Sequence, residues 1–226
     1  MCGRFTLNQS ATALAEVFHL QQVVDLEAQY NIAPTQMVVT VVHNPESDKR
    51  ELWQLRWGLI PSWAKEAGIG NKLINARGET VAEKPAFRSA FKRRRCLVVA
   101  DGFYEWQKQP EQKARQPFYF QLQDGQPFGF AGLWEKWRSP TDDEITSCTI
   151  ITTQANELLQ PIHDRMPVIL APQDYDLWLN PQEQNPQVLQ NLLSPYPASA
   201  MIAHPVSTIV NSPKHNSPEC IIPIKQ

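Results

Sequence analysis

None of the four cysteines, Cys2, Cys96, Cys148 and Cys220, stands three residues from another. That excludes the paired-thiolate zinc site, so no metal and no organic cofactor is expected. No apolar run approaches the ~20 residues a membrane-spanning helix needs. The opening Met1-Cys2-Gly3-Arg4 leads into polar positions rather than the apolar core of a signal peptide. An excess of positive charge is also missing. Lys and Arg total 21 against 23 Asp and Glu, a net charge of -2. Broad binding of duplex phosphates would call for a basic protein. A local basic groove, balanced by acidic residues elsewhere, stays compatible. No repeat, low-complexity tract or linker divides the chain, so a single domain over residues 1–226 is expected. The expected setting is reducing and cytoplasmic, with free thiols, and the expected state is a monomer.

Aromatics and proline, by contrast, are plentiful: 7 Trp, 9 Phe and 19 Pro. The prolines favour turns over long helices. Ser10 is placed to cap a short helix with Leu14, Val17 and Phe18 on one face. Met37 to Val42 is β-branched. From Leu52 to Gly58, Trp53, Leu55 and Trp57 alternate with Gln54 and Arg56, the period of a half-buried strand. Thr80 and Glu83 have capping-box spacing ahead of Phe87 and Phe91, which predicts a helix with Pro85 near its start. Cys96 to Ala100 reads as a buried strand ending at Asp101-Gly102. Phe118 to Leu122 and Phe128 to Leu133 flank Asp124-Gly125 as a hairpin would. Ile145 to Thr153, Val168 to Leu170 and Met201 to Val206 read as strands, Asp174 to Leu179 and Val188 to Leu193 as short helices. The sum is an α+β fold on a mixed, largely antiparallel, barrel-like sheet with peripheral helices.

Chemistry concentrates in four places. Loss of Met1 would give Cys2 an α-amine and a thiol on adjacent carbons, both nucleophilic near neutral pH. An aldehyde condenses with the amine, and the thiol then closes a five-membered thiazolidine. The segment Leu73 to Thr80 offers the Asn75 amide and the Arg77 guanidinium just before the predicted helix, where backbone N–H groups favour anions. Glu105 lies between Tyr104 and Trp106, where apolar neighbours raise a carboxyl's pKa and suit it to proton transfer. Trp106 is either core or a stacking platform for a base. Between Pro161 and Pro167, His163 offers a general acid or base and Arg165 a phosphate ligand. The plain structural alternatives are an ordinary Cys2 near a terminus, the better reading when it is taken alone, a cap at Asn75 with a surface Arg77, an outward Glu105 and a His163–Asp164 loop pair. Lys92-Arg93-Arg94-Arg95 reads as a solvated face or the rim of a phosphate-tracking groove.

Five motifs then stand in order: Met1-Cys2-Gly3-Arg4-Phe5, Trp57-Gly58-Leu59-Ile60-Pro61-Ser62-Trp63, Asn75-Ala76-Arg77, Asp101 to Trp106, and His163-Asp164-Arg165-Met166-Pro167. With His204-Pro205-Val206-Ser207 and Val210-Asn211 they make the chain resemble the SOS-response-associated peptidase (SRAP) family over nearly its whole length. Gly78 stands where that pattern has Ala. The resemblance implies a thiazolidine crosslink between Cys2 and the ring-opened sugar of an abasic site in single-stranded DNA, which shields the strand from cleavage. It implies Cys2 as nucleophile, assisted by Asn75, Glu105 and His163, with Arg4, Arg77 and Arg165 on phosphates. Asn31, Pro34, Trp63 and Trp106 match positions near the DNA. It further implies self-removal of Met1, a lyase activity and association with the nucleoid. Two rival readings are a Cys–His peptidase acting on other proteins and a non-catalytic module for single-stranded DNA.

Overall fold

The computed structural model describes residues 2–21, 26–44, 46–109 and 114–224. The chain opens with β1 (Phe5–Leu7), α1 (Ala11–Phe18) and β2 (Gln29–Ile32). Ser10 caps α1 as expected, its hydroxyl accepting from the Ala13 N–H, while Leu14 and Phe18 are buried. Next come β3 (Met37–Asn44), β4 (Lys49–Trp57) and the short β5 (Asn75–Arg77). Helix α2 (Arg88–Arg93) leads into β6 (Arg95–Ala100), β7 (Gly102–Gln107), β8 (Gln116–Leu122), β9 (Phe128–Arg138) and β10 (Glu144–Gln154). Then follow β11 (Arg165–Pro167), β12 (Ile169–Leu170), α3 (Tyr175–Leu179), α4 (Pro186–Asn191) and β13 (Met201–Pro205). No helix among the described residues is long and apolar enough to cross a membrane.

Two sheets result. β3, β4, β6, β9 and β10 close into a barrel, because β9 pairs with both β6 and β10 and β10 also pairs with β4. The β4–β10 contact is parallel and every other pairing in the ring is antiparallel. β5 adds to β10 in parallel, and β11 adds to it antiparallel. The second sheet is open, in the order β13-β8-β7-β1-β2, and wholly antiparallel. This is the expected α+β, barrel-like, largely antiparallel fold.

The aromatic residues weld the sheets together. Phe5 of β1 meets Trp57 of β4 edge-on, with ring centroids 5.1 Å apart, and Phe130 of β9 at 5.9 Å. Phe103 of β7 stacks on Phe120 at 5.2 Å and also touches Phe130. All of these are buried. Truncating one such ring to Ala costs about 3–5 kcal/mol. Consecutive strands β6 and β7 belong to different sheets, and Asp101 alone separates them. Its buried carboxylate accepts from Thr6 Oγ1 and from the Asn8 N–H. The Tyr119 side chain covers Gly102, and any Cβ there would run into its ring.

Three local expectations are overturned. Strands β8 and β9 flank a real turn, with Gly125 at φ 69°, but they do not pair. Each finds longer partners in a different sheet, and tertiary pairing overrides the hairpin signal. No helix starts at Thr80. The Glu83 and Lys84 N–H groups both bond to Thr80 O in one closed turn, and α2 starts only at Arg88. Pro85 has no N–H with which to carry a helix through. Phe87 and Phe91 do share a buried face. The basic run is not one solvated face either, since Arg95 is buried. Its guanidinium donates to the carbonyls of Phe91 and Lys92 at the end of α2, and to those of Trp178, Asn180 and Glu183 at and beyond the end of α3. Helix C-termini leave such carbonyls unbonded, and a cation suits the negative end of each dipole. Burial nevertheless lowers the Arg95 pKa to about 10. Arg95→Met should cost roughly 3 kcal/mol or more, because it orphans several buried acceptors at once. Urea unfolding of the purified variant would check this, and a change under 1 kcal/mol would refute it.

Candidate active site around Cys2

Cys2 lies just before β1 and is fully buried. Its carbonyl accepts from Asn75 Nδ2 at 2.8 Å, and its Sγ lies 4.0 Å from Arg4 O. Asn75 opens β5, and the residue before it is braced in turn, because Trp57 Nε1 donates to Ile74 O at 2.9 Å. The Phe5–Trp57 contact therefore fixes both partners of the Cys2–Asn75 bond. Asn75 Oδ1 is buried and has no hydrogen-bond partner among the described residues. The segment Asn75 to Arg77 is a strand followed by turns, so the helix-terminus anion site expected there does not form. Gly78 fits the strand end, where an Ala Cβ would meet Leu193 and Thr152 O at 3.4 Å and be accommodated.

Glu105 sits on β7 and is 3% exposed. Burial raises its carboxyl to about 7. The outward-facing alternative is therefore wrong. The alternation of β7 is hidden because both of its faces are covered: Phe103 packs in the main core, while Tyr104 packs in a separate cluster with Tyr119, Val206, Val210 and Cys220. Burial likewise pushes the Cys2 thiol well up, and the charge of nearby Glu105 adds to the effect. Asp164, next to His163, raises Glu105 in the same way. His163 Nδ1 accepts from the Arg165 backbone N–H at 3.0 Å and lies 3.0 Å from Asp164 Oδ1. That nitrogen thus meets an amide donor and a carboxylate acceptor at once. Burial lowers His163, which favours its neutral form. Both shifts favour the neutral form, an acid held up near 7 and a base held down.

Arg4, Asn31 and Trp106 form a second group against the 210–215 segment. Arg4 Nη1 donates to Asn31 Oδ1 and to Val210 O, both at 2.7 Å. Its guanidinium lies 5.8 Å from the Trp106 ring centroid. Trp106 Nε1 donates to Asn211 Oδ1 at 2.7 Å. Asn31, 2% exposed, donates to the carbonyls of Val210, Ser212 and His215. Arg165 is paired with both carboxylate oxygens of Glu79 and donates to Thr152 O at 2.7 Å. Arg77 is exposed and makes no side-chain hydrogen bond or ion pair among the described residues. Pro34 is half-buried ahead of Thr35, which has φ 76°. Trp63 is 60% exposed, its Nε1 lying 3.5 Å from Pro85 O. Neither Pro34 nor Trp63 makes a hydrogen bond or ring contact with the Cys2 group. Asn211, which stands in a motif without a role, and Glu79 prove to position Trp106 and Arg165. No group of three or more metal-ligating side chains occurs among the described residues.

This geometry meets known proteins at a defined point. The description of the SOS response associated peptidase (SRAP) family matches residues 1–213. The chain belongs to the SRAP family. A Bacillus subtilis relative, abasic site processing protein YoqW, is 47% identical across 98% of this chain and 99% of its own. The SRAP relative from Xenopus tropicalis, abasic site processing protein HMCES, is 35% identical, covering 88% of this chain and 67% of that protein. A crystal structure of a Bacteroides thetaiotaomicron protein superposes with a TM-score of 0.87 at 27% identity, covering 99% of this chain and all of that one.

Glu105 also links the site to stability. An unfolded Glu titrates near 4.5 and the folded one at about 7. Between those values the folded state holds an extra proton, so stability falls as pH rises from 4.5 to 7. The span corresponds to about 3 kcal/mol. Glu105→Gln should remove that slope, and urea titrations of both proteins across the window would measure it. Parallel curves would contradict the buried, proton-holding carboxyl.

Proposed function

We propose that this chain processes abasic sites in single-stranded DNA, with Cys2 bonding covalently to the opened sugar. The observation that carries the proposal is the burial of Cys2 beside Asn75 and a carboxyl that titrates near 7. The names of the YoqW and HMCES relatives support the substrate class. Met1, whose removal the reading requires, lies outside the described residues. The Asn75 bond holds the carbonyl side of Cys2 and leaves its nitrogen and sulfur for the substrate.

In this mechanism neutral Glu105 gives its proton to the sugar ring oxygen while the C1′ hydroxyl gives its own to neutral His163, and the ring opens to the aldehyde. The Cys2 amine adds to C1′, and water leaves to give an imine. The thiol then adds to the same carbon and its proton passes to the nitrogen, which closes the thiazolidine. An imine alone invites β-elimination and strand scission, and sulfur capture removes that electron sink. His163, neutral in the resting site, carries protons between these steps. Arg4, Arg77 and Arg165 supply sequence-independent attraction for phosphates, with Arg77 unencumbered and Arg165 sharing its charge with Glu79. Trp63 and Trp106 are the stacking surfaces. Asn31 acts indirectly by holding Arg4, and Pro34 shapes the adjoining turn. A monomer suffices for all of this. β-Elimination from an imine that the thiol has not captured is the route by which lyase activity would appear, and hydrolysis of the Met1–Cys2 bond would account for the peptidase in the family name.

The rival Cys–His peptidase needs a thiolate beside an imidazolium. Burial raises the Cys2 thiol and lowers His163, both against that pair. Abasic single-stranded oligonucleotide mixed with the protein should give a species that survives denaturation. Cys2→Ala should abolish it, and Glu105→Gln should slow its formation roughly 10²–10⁴-fold. The rate should peak just above neutral pH, because the amine must be free while Glu105 is still protonated at about 7. The alkaline limb should vanish in Glu105→Gln. A purely reversible complex at every pH would overturn the proposal.

A further inference from the structure

On the far side of the segment that follows Arg77, α2 forms one wall of a cleft of about 460 Å³ lined by Ala82, Arg88, Ser89, Lys92, Arg93 and Arg94. Its charge is one-sided. Arg94 is neutralised by Glu135 at 2.6 Å and steadied by Ser89 Oγ. Arg88, Lys92 and Arg93 are exposed and make no side-chain hydrogen bond or ion pair among the described residues. Stability of α2 does not explain the set. Lys92 and Arg93 complement the negative end of the helix, but Arg88 occupies its first residue, where a cation opposes the dipole. A chain with net charge -2 thus gathers three uncompensated cations around one concavity.

We infer that the α2 cleft is a second phosphate-binding site, which holds the backbone of a nucleic-acid strand that also reaches the Cys2 site. The inference rests on the proposed function for its choice of ligand. The linking piece is residues 78–87, which join β5 to α2. Exposed Trp63 is braced on that piece through Pro85 O. An exposed indole, anchored to Pro85 three residues ahead of Arg88 in the chain, and a row of cations make the combination that holds a single strand without regard to sequence, by stacking and by pairing with phosphates. A free anion would gain nothing from the indole.

The test uses the full chain with Arg88→Gln, Lys92→Gln and Arg93→Gln combined. All three side chains are exposed, so the fold should hold, and circular dichroism would verify that. Binding is measured with intact, undamaged single strands of about 6 and about 20 nucleotides across a salt series. Loss of three phosphate contacts should flatten the salt slope for the longer strand by about 2 units, at roughly 0.7 per contact. Affinity for it should fall at least tenfold at low salt, while the short strand should bind both proteins alike. Equal slopes for the long strand would overturn the inference, as would an equal loss for both lengths. Because the strands carry no abasic site, these outcomes are independent of Cys2 chemistry. Crosslinking at saturating abasic DNA is read separately, and its absence in the wild type would count against the proposed function and leave the cleft result standing.

Discussion

The hydrogen bond from Asn75 Nδ2 to the Cys2 carbonyl is the contact on which the rest of the site depends. In energy it is modest, since a hydrogen bond contributes about 1 kcal/mol net. Its importance is positional. A misplacement of about 1 Å can cost two orders of magnitude in rate. A residue so near a chain terminus would ordinarily be poorly fixed. Here β1 is held on one edge by β2 and on the other by β7, and Phe5 drives its ring into the barrel against Trp57 and Phe130. Trp57 in turn grips the backbone at Ile74, one residue before the amide that holds Cys2. The aromatic core thus serves as the mount for the reactive end.

Around that mount the electrostatics arise from exclusion of water more than from opposing charge. Glu105, the Cys2 thiol and His163 all shift toward their neutral forms, and burial is the largest cause for each. A carboxyl, a thiol and an imidazole held toward their neutral forms suit the proposed chemistry, which passes a proton to an oxygen and later takes one from sulfur. The cations stand farther out. Arg4 is tied to Asn31 and Val210 O, Arg165 to Glu79, and Arg77 is left exposed.

Much of this was legible from residue order. The period of two from Trp53 to Trp57, the β-branched run at Met37 and the cap at Ser10 each describe a local balance that tertiary packing does not reverse. Cys2, Asn75 and Glu105 became candidates only through the ordered motifs taken together, and the structure buries Cys2 and Glu105 and joins Cys2 to Asn75. What stayed hidden was set by distant partners. The Asp124-Gly125 turn is real, yet the strands it joins leave for different sheets. Arg95 reads like its three basic neighbours until two helix ends converge on it. Asn31 and Asn211 gave no signal of their roles, because what they bind lies up to 184 residues away in the chain.

The Asp101 junction carries a mechanical consequence. With one buried, hydrogen-bonded residue between β6 and β7, and the Tyr119 ring lying across Gly102, the barrel and the open sheet have no slack between them. Glu105 stands only four residues beyond Asp101. Substrate capture by a clamshell movement of the sheets would have to tear this seam. The ligand must do the bending instead, and a backbone already broken free of base stacking and base pairing at a lesion is the kind of strand that bends most cheaply.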